Sequence, residues 1–183
     1  MALIKTRARG LKLDDTFSFT GTVSGAGGIT EADCWRITQD YTASGQNFLT
    51  TNWERNDNNF TKIGTGLTES SGVFSFPSTG IYSINVKLSY QASGNDLTYA
   101  GGDIHATTDN SSYSQIIEAY SHIYNGLSGS AEYEDVSFQT IFDVTNTSTH
   151  KFKIRTTRSH SCLLFGHDTI QKTGFVCVRL GDT

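Results

Sequence analysis

The sequence predicts an all-β protein, an antiparallel β-sandwich over residues 29–183 preceded by an extended arm over residues 1–28. Three observations predict it. The composition favours strands and turns: Ser, Thr, Gly and aromatic residues are plentiful, with 18 Gly, 11 Phe and 8 Tyr, while Pro occurs once. One stretch alternates strictly: Tyr82, Ile84, Val86, Leu88 and Tyr90 fall on one face, and Ser83, Asn85, Lys87 and Ser89 on the other. Other short strand-like runs recur at spacings of about 8–12 residues, as in sandwiches.

The arm differs from the rest. Residues 1–13 hold Lys5, Arg7, Arg9 and Lys12 and no acid, so against a net charge of −4 the remaining chain carries −8. Phe17, Phe19 and Val23 share one face of a strand without a local partner, and Ser24 to Gly28 form a Gly-rich connector. Residues 33–41 read as the first strand of the body. Residues 48–53 and 60–63 read as short strands around the polar loop 54–59. Residues 73–76 and 81–90 form a pair, joined by a turn at Pro77, Ser78, Thr79 and Gly80 where a missing N–H does little harm. Residues 91–96 read as a loop. Residues 97–107 read as a strand broken by a bulge at Gly101-Gly102, and residues 113–124 as a less regular strand.

Two clear strands follow. Val136, Phe138, Thr140, Phe142 and Val144 share a face. After a turn at 146–149, Phe152, Ile154 and Thr156 point in while Lys151, Lys153 and Arg155 point out. Residues 157–173 read as a long loop, and Gly174 opens the last strand. Tyr82, Phe138, Phe142 and Phe152 are candidate core residues. Trp53, Tyr99, Tyr113, Tyr120, Tyr124 and Tyr133 are candidates for a subunit interface or a binding rim. The three cysteines, Cys34, Cys162 and Cys177, are odd in number and widely spaced, which predicts reduced, mostly buried thiols.

Leu67, Phe74, Gly80 and Tyr82, separated by six, five and one residues, resemble the signature of the globular heads of complement subcomponent one-q, within the tumour-necrosis-factor-like jelly rolls. Lys62 stands where that family usually has an acid or amide, and Ile84 and Val86 stand where it favours aromatics. The resemblance implies an antiparallel jelly roll and a homotrimer. The strands at 113–124 and 175–180 carry apolar residues on both faces, which places Tyr113, Tyr120, Tyr124 and Phe175 at the trimer interface. Residues 1–28 look like the leaders of virion proteins from marine tailed phages.

Catalytic and metal signals are weak. His160, Cys162 and His167 could supply ligands, but their spacing matches no standard zinc pairing. Glu132, Glu134 and Asp135 precede a strand and read as a solvated rim; the resemblance makes calcium conceivable there, since related complement heads can hold it near their apex, but no loop has the alternating oxygen ligands of a dedicated cage. Gly126 to Ser130 lacks the second Gly of a nucleophile elbow. No phosphate loop or dinucleotide fingerprint occurs. The acidic body argues against nucleic acid, and no apolar run of about 18 residues marks a membrane span. The opening decapeptide lacks the apolar core of a secretory signal.

The expectation is a non-enzymatic phage virion protein without metal or cofactor, made in the host cytoplasm. It would be a homotrimer that decorates or cements the capsid through residues 1–28, with Lys5, Arg7, Arg9, Lys12, Phe17 and Phe19 making the attachment to other virion proteins. Two alternatives stand beside it: a tail-fibre or receptor-binding head that meets a host receptor or glycan, and a secreted lectin-like ligand-binding module.

Overall fold

The alternating run seen in the sequence forms the centre of the molecule. In the computed structural model, which describes residues 28–93, 97–124 and 131–183, it is strand β7 (Gly80–Ser93). Tyr82, Ile84, Val86, Leu88 and Tyr90 are all buried. Eleven further strands surround it: β1 (Ala32–Ile37), β2 (Tyr41–Phe48), β3 (Trp53–Arg55), β4 (Lys62–Ile63), β5 (Thr68–Ser70), β6 (Val73–Ser75), β8 (Leu97–Thr107), β9 (Ser114–Ile123), β10 (Ala131–Val144), β11 (Lys151–Leu164) and β12 (Gly174–Gly181). There is no helix among the described residues.

Antiparallel pairing arranges these into two layers. In the first, β10 pairs with β7 from Gly80↔Val144 to Ser93↔Ala131, and β12 lies between β7 and β1. β3 and β4 both pair with β1. In the second layer β8 lies between β9 and β11. The other edge of β11 is shared by β6 at Lys151–Lys153 and β2 at Arg155–Leu164, and β5 lies beyond β6. Leu163↔Gln91 and Leu164↔Tyr90 join β11 to β7 and connect the layers.

The two inner faces meet over aromatic rings. Phe74 sits at the hub, with ring centroids 5.3 Å from Trp35, 5.1 Å from Trp53, 5.2 Å from Phe152 and 4.7 Å from Phe175. Such edge and offset pairings add to the area that each ring buries. Phe76 continues the cluster against Tyr82. The three cysteines are free and buried, and burial pushes the Cys34 thiol up to about 11, helped by Asp33.

Buried charge fixes the ends. Asp33 receives Arg55 through Nε at 2.9 Å and Nη2 at 3.1 Å and the Leu67 amide at 2.7 Å, tying the start of the signature stretch to β1. Arg36, buried in β1, donates to Glu54 and Asp57, each at 2.7 Å. Glu54 in β3 and Asp57 in the loop after it therefore carry the counter-charges of an arginine buried in β1.

Several strand boundaries differ from the sequence reading. Residues 33–41 hold β1 from its second residue and the start of β2, separated by a bend, and after β2 ends at Phe48 the region to residue 63 holds only the short β3 and β4. β7 runs through Ser93 where a loop from residue 91 was expected. β8 is continuous at Gly101-Gly102; the glycines are there for close approach. A Cβ on Gly102 would lie 2.5 Å from both Arg155 O and Leu88 Cδ1.

Residues 157–173 are not one loop, because β11 continues to Leu164. The ladder to β2 shifts register between Arg158 and Cys162, and the polar Ser159-His160-Ser161 at that bulge breaks the alternation. The fully buried Arg158 spans the break. It donates to Cys162 O at 3.0 Å, Tyr41 O at 3.3 Å and Thr156 Oγ1 at 2.9 Å.

Candidate interaction surfaces

The outward side of the first layer is the first surface. In β12, Phe175 and Cys177 enter the core while Val176, Val178 and Leu180 point out. Across the sheet, Val178 aligns with Ser83, which aligns with Ile141. Leu180 is 60% exposed, Ile141 55% and Val176 38%. The polar members bond within the face: Gln139 Nε2 donates to Ser83 Oγ at 2.6 Å. An antiparallel sheet with apolar residues on its outer side is a face built to be covered.

The second surface lies on the outward side of the other layer and is aromatic. The Tyr99 and Tyr120 rings meet at 5.9 Å, His122 stacks near Tyr124, and Tyr120, Tyr124 and Tyr99 are exposed. Farther along, Lys153 Nζ sits 4.0 Å from the Phe48 centroid and 4.2 Å from that of Tyr113, a cation between two ring faces. Beneath it, Asp103 is fully buried and takes a two-nitrogen grip from Arg155, at 3.0 and 2.8 Å. His105 Nε2 is 3.0 Å from the same carboxylate. Burial pushes the His105 imidazole below its usual value, with Arg155 and Lys153 acting in the same direction against the pull of Asp103.

Beside this surface, β5, β6, the start of β11 and the loop after β8 enclose a groove of about 370 Å³. One wall is held by Asp109. Its carboxylate accepts the amides of Ser111 and Ser112, each at 2.8 Å, and the Thr107 hydroxyl. Those donors, Ser112 first, hold its carboxyl well below the usual carboxylate range. A depressed folded value means the stabilisation is fully present above the unfolded pKa and is lost as pH falls below about 4 toward the folded value. Asp109→Asn is therefore expected to lower the wild-type melting temperature near neutral pH and to shrink that difference in acid; an equal difference at pH 7 and pH 2 would contradict it.

The residues singled out in the sequence disperse. Lys5, Arg7, Arg9, Lys12, Phe17 and Phe19 lie outside the described residues, as does the segment 126–130. Tyr113, Tyr120 and Tyr124 belong to the second surface. Phe175 is a correction: at 1% exposure it packs against Phe74, Trp53 and Phe152, so it offers nothing to a second copy, and the residues of that strand that are exposed are Val176 and Leu180. His160 is exposed, Cys162 is buried, and His167 Nδ1 accepts the amides of Thr169 and Ile170 within its own loop. No three potential ligands gather among the described residues. Glu132, Glu134 and Asp135 lie within β10, not before it; Glu134 accepts from Ser121, and Asp135 pairs with Lys87 at 2.8 Å. The cation between Phe48 and Tyr113 carried no sequence signal, because its members come from three separate segments.

A scan of family models and a search of curated proteins return no match. Solved structures do match. The structure of Eiger TNF from S. frugiperda superposes with a TM-score of 0.59 at 14% identity, over 83% of this chain and 93% of that one. Murine APRIL at pH 5.0 superposes with a TM-score of 0.58 at 11% identity, over 82% of this chain and 99% of that one. The fold is the tumour-necrosis-factor-like jelly roll. At these identities the likeness concerns the fold alone, and it agrees with the strand order and with the signature at Leu67, Phe74, Gly80 and Tyr82.

Proposed function

We propose that this jelly roll is a non-enzymatic attachment module, a homotrimer joined to a tailed-phage particle as a decoration or cement protein through residues 1–28. The observation that carries the trimer is the two-faced β12, with Phe175 and Cys177 in the core and Val176, Val178 and Leu180 outside. This face and the aromatic surface of β9 are different patches on one chain. A contact between unlike patches is heterologous, and a heterologous contact that closes makes a ring, not a twofold dimer. The number three comes from the resemblance.

Support for attachment comes from the basic arm on an acidic body. Lys5, Arg7, Arg9 and Lys12 would speed docking onto an acidic partner in a salt-dependent way. Phe17 and Phe19, if fully buried on a neighbouring strand edge, would each contribute about 1.5–3 kcal/mol. The exposed Tyr99, Tyr120 and Tyr124 favour the second reading, a tail-fibre or receptor-binding head.

Two measurements test the proposal. Analytical ultracentrifugation of the full chain at micromolar concentration is expected to give a trimer, and Val176→Asp with Leu180→Asp a folded monomer. A wild-type monomer would end the trimer. Deleting residues 1–28 is expected to abolish incorporation into particles while leaving the trimer intact; normal incorporation would end the attachment role of the arm.

A further inference from the structure

The groove beside the aromatic surface has walls unlike those of an apolar docking cleft. At about 370 Å³ it falls within the range of small-ligand sites. Thr68, Ser70 and Ser75 line it, with Glu69, Asn110 and Lys151. Of the eight lining residues only Val73 and Tyr113 are apolar or aromatic. Among the described residues, Lys151 Nζ has no carboxylate within ion-pair distance and the Asn110 amide makes no side-chain hydrogen bond, so both remain free to serve a ligand.

The walls are also set in advance. Glu69 Oε1 accepts the Gly72 amide at 2.6 Å, which fixes the carboxylate and leaves its other oxygen uncommitted. The backbone N–H of Asn110 donates to Thr149 O at 3.1 Å, and Asp109 holds the rest of that loop. Asn110 and Ser71, which flank the groove, have left-handed φ values of 61° and 52°; only one other non-Gly residue among those described does.

A ligand for these walls must offer many hydroxyls, accept and donate by turns, and present one flat apolar side to a Tyr ring. One Lys beside one Glu is the wrong charge for a phosphate or a polyanion, and a wall that includes a carboxylate, an ammonium and an amide is wrong for a lipid chain. We propose that the groove binds a neutral saccharide. Glu69 accepts two sugar hydroxyls, Lys151 and Asn110 donate to others, and Tyr113 stacks on the C–H face of the ring. This deepens the attachment reading by naming the chemistry of its partner, and relies on that reading only for the biological setting.

The test uses the full chain on an array of glucose, galactose, mannose, rhamnose and N-acetylglucosamine, their disaccharides, and the matching uronic acids. The wild type is expected to bind at least one neutral sugar. Tyr113→Ala and Glu69→Gln are each expected to weaken that binding at least about tenfold. Glu69→Gln keeps an acceptor for the Gly72 amide, so it removes charge without undoing the loop, and an unchanged melting temperature confirms this. Absence of binding to every neutral sugar, binding restricted to the uronic acids, or binding unaffected by both substitutions would each overturn the proposal. None of these outcomes touches the trimer or the arm, which are read by sedimentation and incorporation.

Discussion

Phe74→Ala is expected to lower stability by about 4–5 kcal/mol, at the upper end of the range for removing a buried ring. Phe74 is fully buried and touches Trp35, Trp53, Phe152 and Phe175, which come from both layers. Neighbours that are themselves large rings in fixed edge contacts cannot collapse into the space left behind, so the cavity persists. Against a typical total of about 5–15 kcal/mol, the variant stands close to unfolding. Urea denaturation followed by tryptophan fluorescence checks it, since Trp35 and Trp53 flank the site. A loss below about 2 kcal/mol would show that the hub relaxes and would contradict the rigid-cluster account.

Arg158→Met is expected to cost about 2–4 kcal/mol, although methionine fills much of the same volume. The guanidinium donates to two backbone carbonyls and a hydroxyl across the bulge where β11 and β2 lose register. Methionine leaves those acceptors buried without their donor, at about 1–3 kcal/mol for each one that water does not reach. Lysine at this position is expected to be no better, because it buries a charge and cannot span the acceptors with a planar fork. The contrast is with Lys153→Met on the surface, where a loss under about 1 kcal/mol is expected. Equal losses at the two positions, by thermal or urea melts, would count against the bridging role.

The sequence was most readable where one face is wet and the other dry. β7, β10 and the first half of β11 show clean alternation because each borders the core on one side only. The second half of β11 was read as a loop because Arg158 points inward and Ser159, His160 and Ser161 form a bulge, so polarity no longer reports direction. Gly101 and Gly102 looked like a break because glycine is permissive; a neighbouring backbone and Leu88 explain them instead. The outward residues of β12 could be found, since Val176, Val178 and Leu180 interrupt the expected pattern. Phe175 was assigned to the wrong side because apolar residues on both faces do not say which face is inward. The groove was invisible, its walls being drawn from four segments that only the fold brings together.

The pairing of β1 with β12, from Ala32↔Val178 to Arg36↔Gly174, has a kinetic consequence. β12 fills the place between β1 and β7, so the first layer has a gap at its centre until the twelfth of the twelve described strands has been synthesised. Until then the edges of β1 and β7 that β12 joins have no partner from each other. Long-range closure of this kind gives a high contact order, which places folding in the millisecond-to-second class and leaves open edges as the hazard on the way. Nascent chains stalled before Gly174 are thus the species most prone to pair with one another edge to edge, and the ones a chaperone would meet.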